Sequence, residues 1–175
     1  VEIEKNPQKK IEIKDSDTND EKIKIENTLI NSKEEDKIYG LYDPEKNNLD
    51  LNMWSSTSAE DVRASLKRIK KIKLSKTSNE ILENILLSYS FPPQGMAEKE
   101  FTSLKINWLV ENNRSELIEI FLKQNENFYS KDKAVQFLVD ENIAQANIQE
   151  GCKKIKFIGS SIKDSYLEKF KIYCL

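Results

Sequence analysis

Histidine is absent from the sequence. It is the side chain most often used as a general base near neutral pH, it activates serine and cysteine nucleophiles, and it is the commonest ligand of transition metals. Glycine is scarce too, and none of the four glycines belongs to a phosphate-binding loop or to the G-x-S-x-G pattern of a nucleophile elbow. We therefore predict a protein without enzymatic activity and without a bound cofactor or metal ion.

Long hydrophobic runs are also absent, since no segment approaches the roughly 20 apolar residues that a membrane-spanning helix needs. Because the chain begins at Val1 rather than at methionine, we expect that an N-terminal signal or anchor was removed or left out. A removed signal peptide would place the protein in the periplasm or cell envelope, and otherwise we expect it in the cytoplasm. Residues 170–175 read as an apolar helix without a cap, so we expect a truncated domain with further helices beyond Leu175.

Cysteine is limited to Cys152 and Cys174. Each of them falls among apolar residues of a predicted helix, which favours two small, buried hydrophobic side chains. A disulfide would require the two helices to bring the thiols together, and the sequence does not show whether they do.

Charged residues make up 33% of the chain and are densest in residues 1–52, so the chain is not uniform in character. Residues 1–38 combine short alternating runs with charged turns, which predicts a flexible, charged arm that is disordered or weakly β-structured. The alternating runs leave open a small hairpin, or a strand that adds to the sheet of a partner.

Residues 39–57 bring aromatic and turn residues, which predicts an irregular but ordered lead-in. Its side chains Leu51, Met53 and Trp54 are expected to dock on the first helix. Residues 58–175 are assigned to one helical-repeat domain.

Amphipathic periodicity from residue 58 onward predicts seven helices. Their predicted capping, first or preceding turn residues are Ser58, Thr77, Ala97, Ser115, Ser130, Asn142 and Asp164. The third helix carries Phe101, Leu104 and Trp108 on one face. Short connections place successive helices antiparallel, so the predicted fold class is all-α.

One helical pattern returns along the chain. The residues Trp108-Leu109-Val110-Glu111-Asn112-Asn113 are followed 29 residues later by Phe137-Leu138-Val139-Asp140-Glu141-Asn142, and a weaker echo occupies residues 170–175. Repeats of this size are typical of stacked helix pairs. The predicted architecture is therefore a stack of antiparallel helix pairs.

The helix-turn-helix pattern of residues 99–124 and 131–156 resembles tetratricopeptide-like repeats, although it lacks their central glycine and closing proline. In addition, Leu41-Tyr42-Asp43-Pro44, Met53-Trp54-Ser55-Ser56 and a helix pair ending at Pro92-Pro93 resemble an uncharacterised alphaproteobacterial family of helical-repeat proteins. That resemblance covers roughly residues 39–175. It implies an α-solenoid, often preceded by an export signal, and it carries no catalytic motif.

Two pairs of polar residues mark the predicted binding site. Asn107 and Glu111 are four residues apart on the third helix, and Gln136 and Asp140 occupy the positions that the 29-residue spacing aligns with them. The first helices of stacked pairs line a concave surface that holds extended peptides. We therefore predict a scaffold or adaptor that binds an unidentified protein partner through these residues, with plain solvent-exposed polarity as the alternative reading.

A basic segment offers an alternative function. It comprises Arg63, Lys67, Arg68, Lys70 and Lys71, continued by Lys73 and Lys76. This segment could contact nucleic acid or another anionic surface, or it could receive the acidic residues Asp15, Asp17, Asp20 and Glu21 of the arm. Nucleic acid is disfavoured because no aromatic residue is interleaved for base stacking and the chain has a net charge of −2.

Overall fold

The computed structural model describes residues 37–158 and 164–175. Within these residues the fold is all-α, and two isolated β-bridges are the only strand-like pairings. Seven α-helices run as α1 Ala59–Ile69, α2 Lys76–Leu87, α3 Glu98–Glu111, α4 Ser115–Gln124, α5 Lys131–Ala144, α6 Ile148–Lys154 and α7 Ser165–Tyr173. The predicted arm, with its acidic residues, lies outside the described residues except for positions 37 and 38.

Several helix starts follow from capping side chains. The hydroxyl of Ser58 accepts the N–H of Asp61 at 3.1 Å, as predicted. The cap of α2 is Ser75 rather than Thr77, since the Ser75 hydroxyl accepts the N–H of Ser78 at 3.1 Å. The hydroxyls of Ser75 and Thr77 both fit the spacing of a cap. Because Ser75 comes first, the helix begins two residues earlier than predicted. At the other end of the chain, Asp164 caps α7 as predicted.

The prediction that Asn142 begins the sixth helix is wrong. Asn142 lies inside α5, where its side-chain amide donates to the carbonyl of Leu138 at 2.7 Å. Residues 145–147 make the turn instead. Ser130 does precede α5, but its hydroxyl makes no capping bond and lies 2.9 Å from that of Ser103.

The core is formed mainly by α3 to α6, within which α3 packs on α4, α4 on α5 and α5 on α6. Its buried side chains include Phe101, Ile106, Leu109, Ile118, Phe121, Leu122, Val135, Leu138 and Val139. Complete burial of such a side chain contributes about 1.5–3 kcal/mol. The backbones of α1 and α2 approach those of the other helices at fewer points.

The turns that follow α3 and α5 have the same backbone conformation. Both helices end in a left-handed residue, Asn113 with φ 51° and Ala146 with φ 57°. The next N–H closes an equivalent hydrogen bond in each turn, from Arg114 to the carbonyl of Leu109 at 2.9 Å and from Asn147 to that of Asn142 at 2.8 Å. This is the Schellman arrangement at the end of a helix.

The spacing between these units is 33 residues rather than the predicted 29. Helix α3 begins at Glu98 and α5 at Lys131, and both contain 14 residues. The position equivalent to Trp108 is therefore Glu141, and Phe137 lies one helical turn earlier. Positions i and i+4 share a face of a helix, so a shift of four residues preserves its pattern of polar and apolar residues. The 29-residue alignment is therefore displaced by one helical turn.

Residues 39–42 form a strap that crosses the ends of α2 and α4. The N–H of Leu41 donates to the carbonyl of Leu87 at 2.7 Å. The side-chain amide of Asn125 donates to the carbonyl of Gly40 at 2.9 Å and accepts its N–H at 3.2 Å. Asn125 is buried, so this paired bond satisfies both of its polar ends.

The rest of the lead-in was predicted to dock on the first helix, and its Trp54 contacts the third. The ring of Trp54 lies edge-on to that of Phe101 in α3, with 5.9 Å between the ring centroids. Leu51 is 38% exposed. Trp54 of the lead-in therefore contacts the third helix.

The sequence favoured two small, buried hydrophobic cysteines and left their pairing open, and the structure shows that they are bonded. Cys152 of α6 and Cys174, just after α7, form a disulfide with their Cα atoms 5.4 Å apart. The two helices meet where the ring of Phe170 lies against Gly151. This packing brings the two thiols together, and the sequence contains no signal for it.

Candidate functional site

A groove of about 770 Å³ lies between α1, α2 and α3. Its lining combines apolar, basic and amide side chains: Arg63, Leu66, Lys67, Ile69, Lys70, Ile72, Lys73, Leu74, Asn79, Leu82, Leu104, Asn107, Trp108, Glu111 and Asn112. The volume falls in the range typical of ligand-binding clefts, which is about 300–1,000 Å³.

The groove is bridged by two ion pairs that join α3 to α1 and to Lys70, the residue that directly follows α1. Arg63 grips Glu100 with two bonds of 2.6 and 2.7 Å, and Lys70 Nζ lies 2.7 Å from a carboxylate oxygen of Glu111. All four side chains are about half exposed. Long polar side chains thus connect the two helices where their backbones do not pack closely, which leaves space between them.

The electrostatics of the first pair follow from its geometry. The hydrogen bond from Arg63 lowers the pKa of the Glu100 carboxyl and raises the pKa of the Arg63 guanidinium. Both groups are therefore fully charged at neutral pH. Because they are exposed to solvent, the pair orients α1 against α3 rather than contributing much stability.

The floor of the groove is apolar and incompletely covered. Leu66 of α1, Leu82 of α2 and Leu104 of α3 are each only partly buried, and Trp108 is 7% exposed beside them. At one edge, Ile72 is 61% exposed. Contiguous apolar surface rimmed by polar residues is typical of a binding site.

The rim carries an excess of positive charge. Four of the lining residues are basic and only Glu111 is acidic. Among the described residues, Lys67 and Lys73 have no acidic partner within ion-pair distance. A ligand with carboxylate or phosphate groups would therefore meet lysines that the described part of the chain leaves available.

The structure brings parts of both predicted sites to this groove. Asn107 and Glu111, predicted to bind a partner, line one side of it. Arg63, Lys67 and Lys70, predicted as an alternative anion site, line the other side. These residues were predicted as two separate sites, because 37 or more positions separate them in the sequence.

The other predicted residues lie elsewhere. Arg68 and Lys71 belong to the same basic segment but do not line the groove. Gln136 and Asp140 lie on α5, away from the groove, and the Asp140 carboxylate accepts the hydroxyl of Tyr166 at 2.5 Å. The four residues predicted to bind a partner therefore do not share one groove.

Asp140 takes part in a recurring contact between the odd-numbered helices. In each of α3, α5 and α7, the second or third residue reaches a side chain on the preceding odd-numbered helix. These contacts are Glu100 to Arg63 at 2.6 Å, Lys133 to Asn107 at 2.6 Å, and Tyr166 to Asp140 at 2.5 Å. They place α1, α3, α5 and α7 side by side. These contacts were not predicted, because the two members of each pair lie 26 or 37 residues apart in the sequence.

A buried lysine was also missed. Lys105 is 0% exposed, and its ammonium donates to the carbonyls of Tyr39 at 2.7 Å and Ser88 at 2.9 Å while lying 4.6 Å from the centre of the Phe101 ring. Desolvation lowers the pKa of Lys105 to about 7. The available signal was its position four residues after Phe101 and three before Trp108, on the apolar face of α3.

No protein-family model, curated protein or solved structure matches the chain. Among residues 37–158 and 164–175, no helix is long and apolar enough to cross a membrane. The same residues contain no group of three or more cysteine, aspartate or glutamate side chains arranged to hold a metal ion. The geometry of the groove is therefore the basis for assigning a function.

Proposed function

We propose that the chain is a non-enzymatic protein-interaction module, a scaffold or adaptor, and that it binds a segment of a partner protein in the groove between α1, α2 and α3. The observation that carries the proposal is the partly uncovered apolar floor beneath a polar rim. Leu66, Leu82 and Leu104 present this floor without any rearrangement of the fold. A preformed groove avoids the ordering cost that a flexible binding surface must meet.

The helical arrangement supports a module of the tetratricopeptide-like, α-solenoid type. Helices α3, α5 and α7 begin at residues 98, 131 and 165, and these spacings are close to the 34 residues of tetratricopeptide repeats. The shared Schellman turns and the recurring contacts between odd-numbered helices support the same interpretation. Proteins of this type commonly present side-by-side helices as a binding surface.

A second candidate function is contact with nucleic acid or another anionic surface through residues 63–76. The observation in its favour is the pair Lys67 and Lys73, which lack acidic partners among the described residues. Two further cations of the segment, Arg63 and Lys70, are already neutralised by Glu100 and Glu111. This neutralisation makes the second candidate weaker than the first.

Site-specific photo-crosslinking tests the proposed function. A benzophenone amino acid replaces Lys67 on the groove rim in one variant, and it replaces Lys169, an exposed residue of α7 outside the groove, in the control. The protein is irradiated in the cells that produce it. We expect a discrete protein adduct from position 67 and none of the same size from position 169.

The adduct must also depend on the groove. Replacement of Asn79, which lines the groove, by tryptophan should obstruct it and weaken or abolish the adduct, whereas the same replacement at the exposed Asn52 should not. The proposal is wrong if positions 67 and 169 yield the same adducts, if position 67 yields none, or if its principal adduct is nucleic acid.

A further inference from the structure

We infer that the groove receives an acidic amphipathic helix of a partner protein, with its apolar side chains on the groove floor and its carboxylates against the basic rim. This inference rests on the proposed function and specifies the chemistry of the partner. It combines two observations, the apolar floor and the unequal distribution of charge around it.

The floor sets the apolar half of the partner. Leu66, Leu82 and Leu104 come from three different helices, and Trp108 lies beside them. A surface built in this way between helices suits a helix that inserts side chains at positions i, i+3, i+4 and i+7. The exposed Ile72 extends the apolar surface to the edge of the groove, where a partner helix would cover it.

The rim sets the charge of the partner. Although the whole chain has a net charge of −2, the groove lining contains four basic residues and one acidic residue. Lys67 and Lys73 have no carboxylate partner within the described ranges. An acidic helix would supply these partners, while a basic one would be repelled from the rim.

The fold already contains an example of the contact that we propose. At the edge of the groove, Lys70, which directly follows α1, holds the carboxylate of Glu111 in α3 at 2.7 Å. Lys67 precedes Lys70 by nearly one helical turn and lies on the same rim. The carboxylate of a docked helix would contact Lys67 in the way that Glu111 contacts Lys70.

The same features argue against a polyanion as the occupant. Arg68 and Lys71 do not line the groove, so the basic segment is divided between two directions. Single-stranded nucleic acids stack their bases on accessible aromatic rings, whereas Trp108 is 93% covered, with only 7% of its surface exposed. An apolar floor beneath a rim of lysines fits a peptide better than a phosphate backbone.

Two synthetic peptides of about four helical turns test the inference. One carries leucines at i, i+3, i+4 and i+7 with glutamates on the flanks, and the other replaces every glutamate by lysine. Binding of each labelled peptide to the full chain is measured by fluorescence anisotropy. The same assay is run with a labelled single-stranded oligonucleotide.

Two variants with the same change of net charge provide the matched comparison. Lys67→Glu with Lys73→Glu reverses charges that line the groove, and Arg68→Glu with Lys71→Glu reverses neighbours that do not. We expect the glutamate peptide to bind the first variant about tenfold more weakly than the unmodified chain and the second with little change. The lysine peptide should bind the first variant more tightly than it binds the unmodified chain.

The outcomes separate this inference from the proposed function. The inference is wrong if the lysine peptide binds the unmodified chain as tightly as the glutamate peptide, or if neither binds while position 67 still crosslinks to a protein. In both cases the proposed function survives. A third outcome would overturn both the inference and the proposed function. In it, the two charge-reversed variants lose oligonucleotide binding equally, neither peptide binds, and position 67 gives no protein adduct.

Discussion

The ammonium of Lys105 lies 2.7 Å from the carbonyl oxygen of Tyr39, a residue 66 positions earlier in the chain. A second bond of 2.9 Å reaches the carbonyl of Ser88. Lys105 therefore joins the strap, the end of α2 and α3 from the inside of the fold. A buried cation that is held by carbonyl oxygens, without a carboxylate, makes the stability of this junction dependent on pH.

The pH dependence has a definite sign. Burial lowers the pKa of Lys105 from 10.5 to about 7, so between these values the unfolded chain binds more protons than the folded one. The contribution of Lys105 to the free energy of unfolding therefore rises with pH across that window. Below pH 7 the buried lysine is charged, and its destabilising effect is greatest there. From pH 7 to pH 9 the expected gain is about 2 kcal/mol.

The substitution Lys105→Met tests this prediction. Methionine fills a similar volume without a charge, so the variant should lack the gain in stability between pH 7 and pH 9. Urea denaturation at pH 6, 7 and 9 measures the free energy of unfolding of both proteins, with the exposed Lys99→Met as control. A difference between Lys105→Met and the unmodified chain that stays constant over this range would contradict the prediction.

The strap requires glycine at position 40. A Cβ atom there would lie 2.6 Å from the nitrogen of Tyr89, 2.8 Å from its Cα and 2.9 Å from the carbonyl oxygen of Leu87. These are backbone atoms, so relief of the clash would pull the strap away from α2. Gly40→Ala should therefore lower the free energy of unfolding by about 2–3 kcal/mol in chemical denaturation.

Gly151 provides the matched control for Gly40→Ala. A Cβ atom at Gly151 would meet the nearest atom of Phe170 at 3.4 Å, which is an ordinary contact. Because alanine also favours a helix over glycine, Gly151→Ala should be neutral or stabilising by up to about 1 kcal/mol. Equal effects of the two substitutions would show that the close approach of Gly40 is not what matters.

Helical periodicity was sufficient to predict the seven helices. Apolar stripes and caps such as Ser58 and Asp164 are local features, so the sequence alone reveals them. The partner of a residue is not local. The grouping of Asn107 with Lys67 around one groove depends on how α1 packs against α3, which no short pattern encodes.

Three features of the structure were not predicted from the sequence, each for a physical reason. The 29-residue alignment differs from the 33-residue spacing of the helices because the pattern of polar and apolar residues on a helix repeats after one turn. The pairing of Cys152 with Cys174 depends on the contact between α6 and α7, and the burial of Lys105 depends on carbonyls supplied by the strap. In the last two cases the decisive atoms lie far away in the sequence.

The disulfide should stabilise the C-terminal helix. In the chain-entropy description, a bond between Cys152 and Cys174 contributes about 3 kcal/mol by restricting the unfolded chain. Reduction should therefore lower the free energy of unfolding and accelerate amide hydrogen exchange in α7 before it does so in α3 to α5. Denaturation and hydrogen exchange with and without reductant measure the two effects.

The double variant Cys152→Ser with Cys174→Ser is the control for the effect of the disulfide. It should match the reduced protein in stability and should not respond to reductant. Mass spectrometry after alkylation gives an independent test, since the bonded protein carries no reactive thiol. Modification of both cysteines without prior reduction would contradict the assigned bond.

The last prediction concerns Ala146, which lies in the turn after α5. Ala146 holds a positive φ of 57° at the position where helices most often end in glycine. The left-handed conformation destabilises an alanine by about 1–2 kcal/mol, and it does not destabilise a glycine in this way. Glycine loses more conformational entropy on folding, which offsets up to about 1 kcal/mol of this gain. Ala146→Gly should therefore stabilise the protein by about 0.5–1 kcal/mol.

The neighbouring alanine separates this effect from glycine content. Ala144 is exposed and ends α5 in helical conformation, so Ala144→Gly should destabilise the protein by about 0.5–1 kcal/mol. Thermal and urea denaturation of the two variants should thus give shifts of opposite sign from the same chemical change, two residues apart. If both substitutions destabilised the protein, the left-handed conformation assigned to Ala146 would be contradicted. The 33-residue register shared with Asn113 would then lose one of its supports.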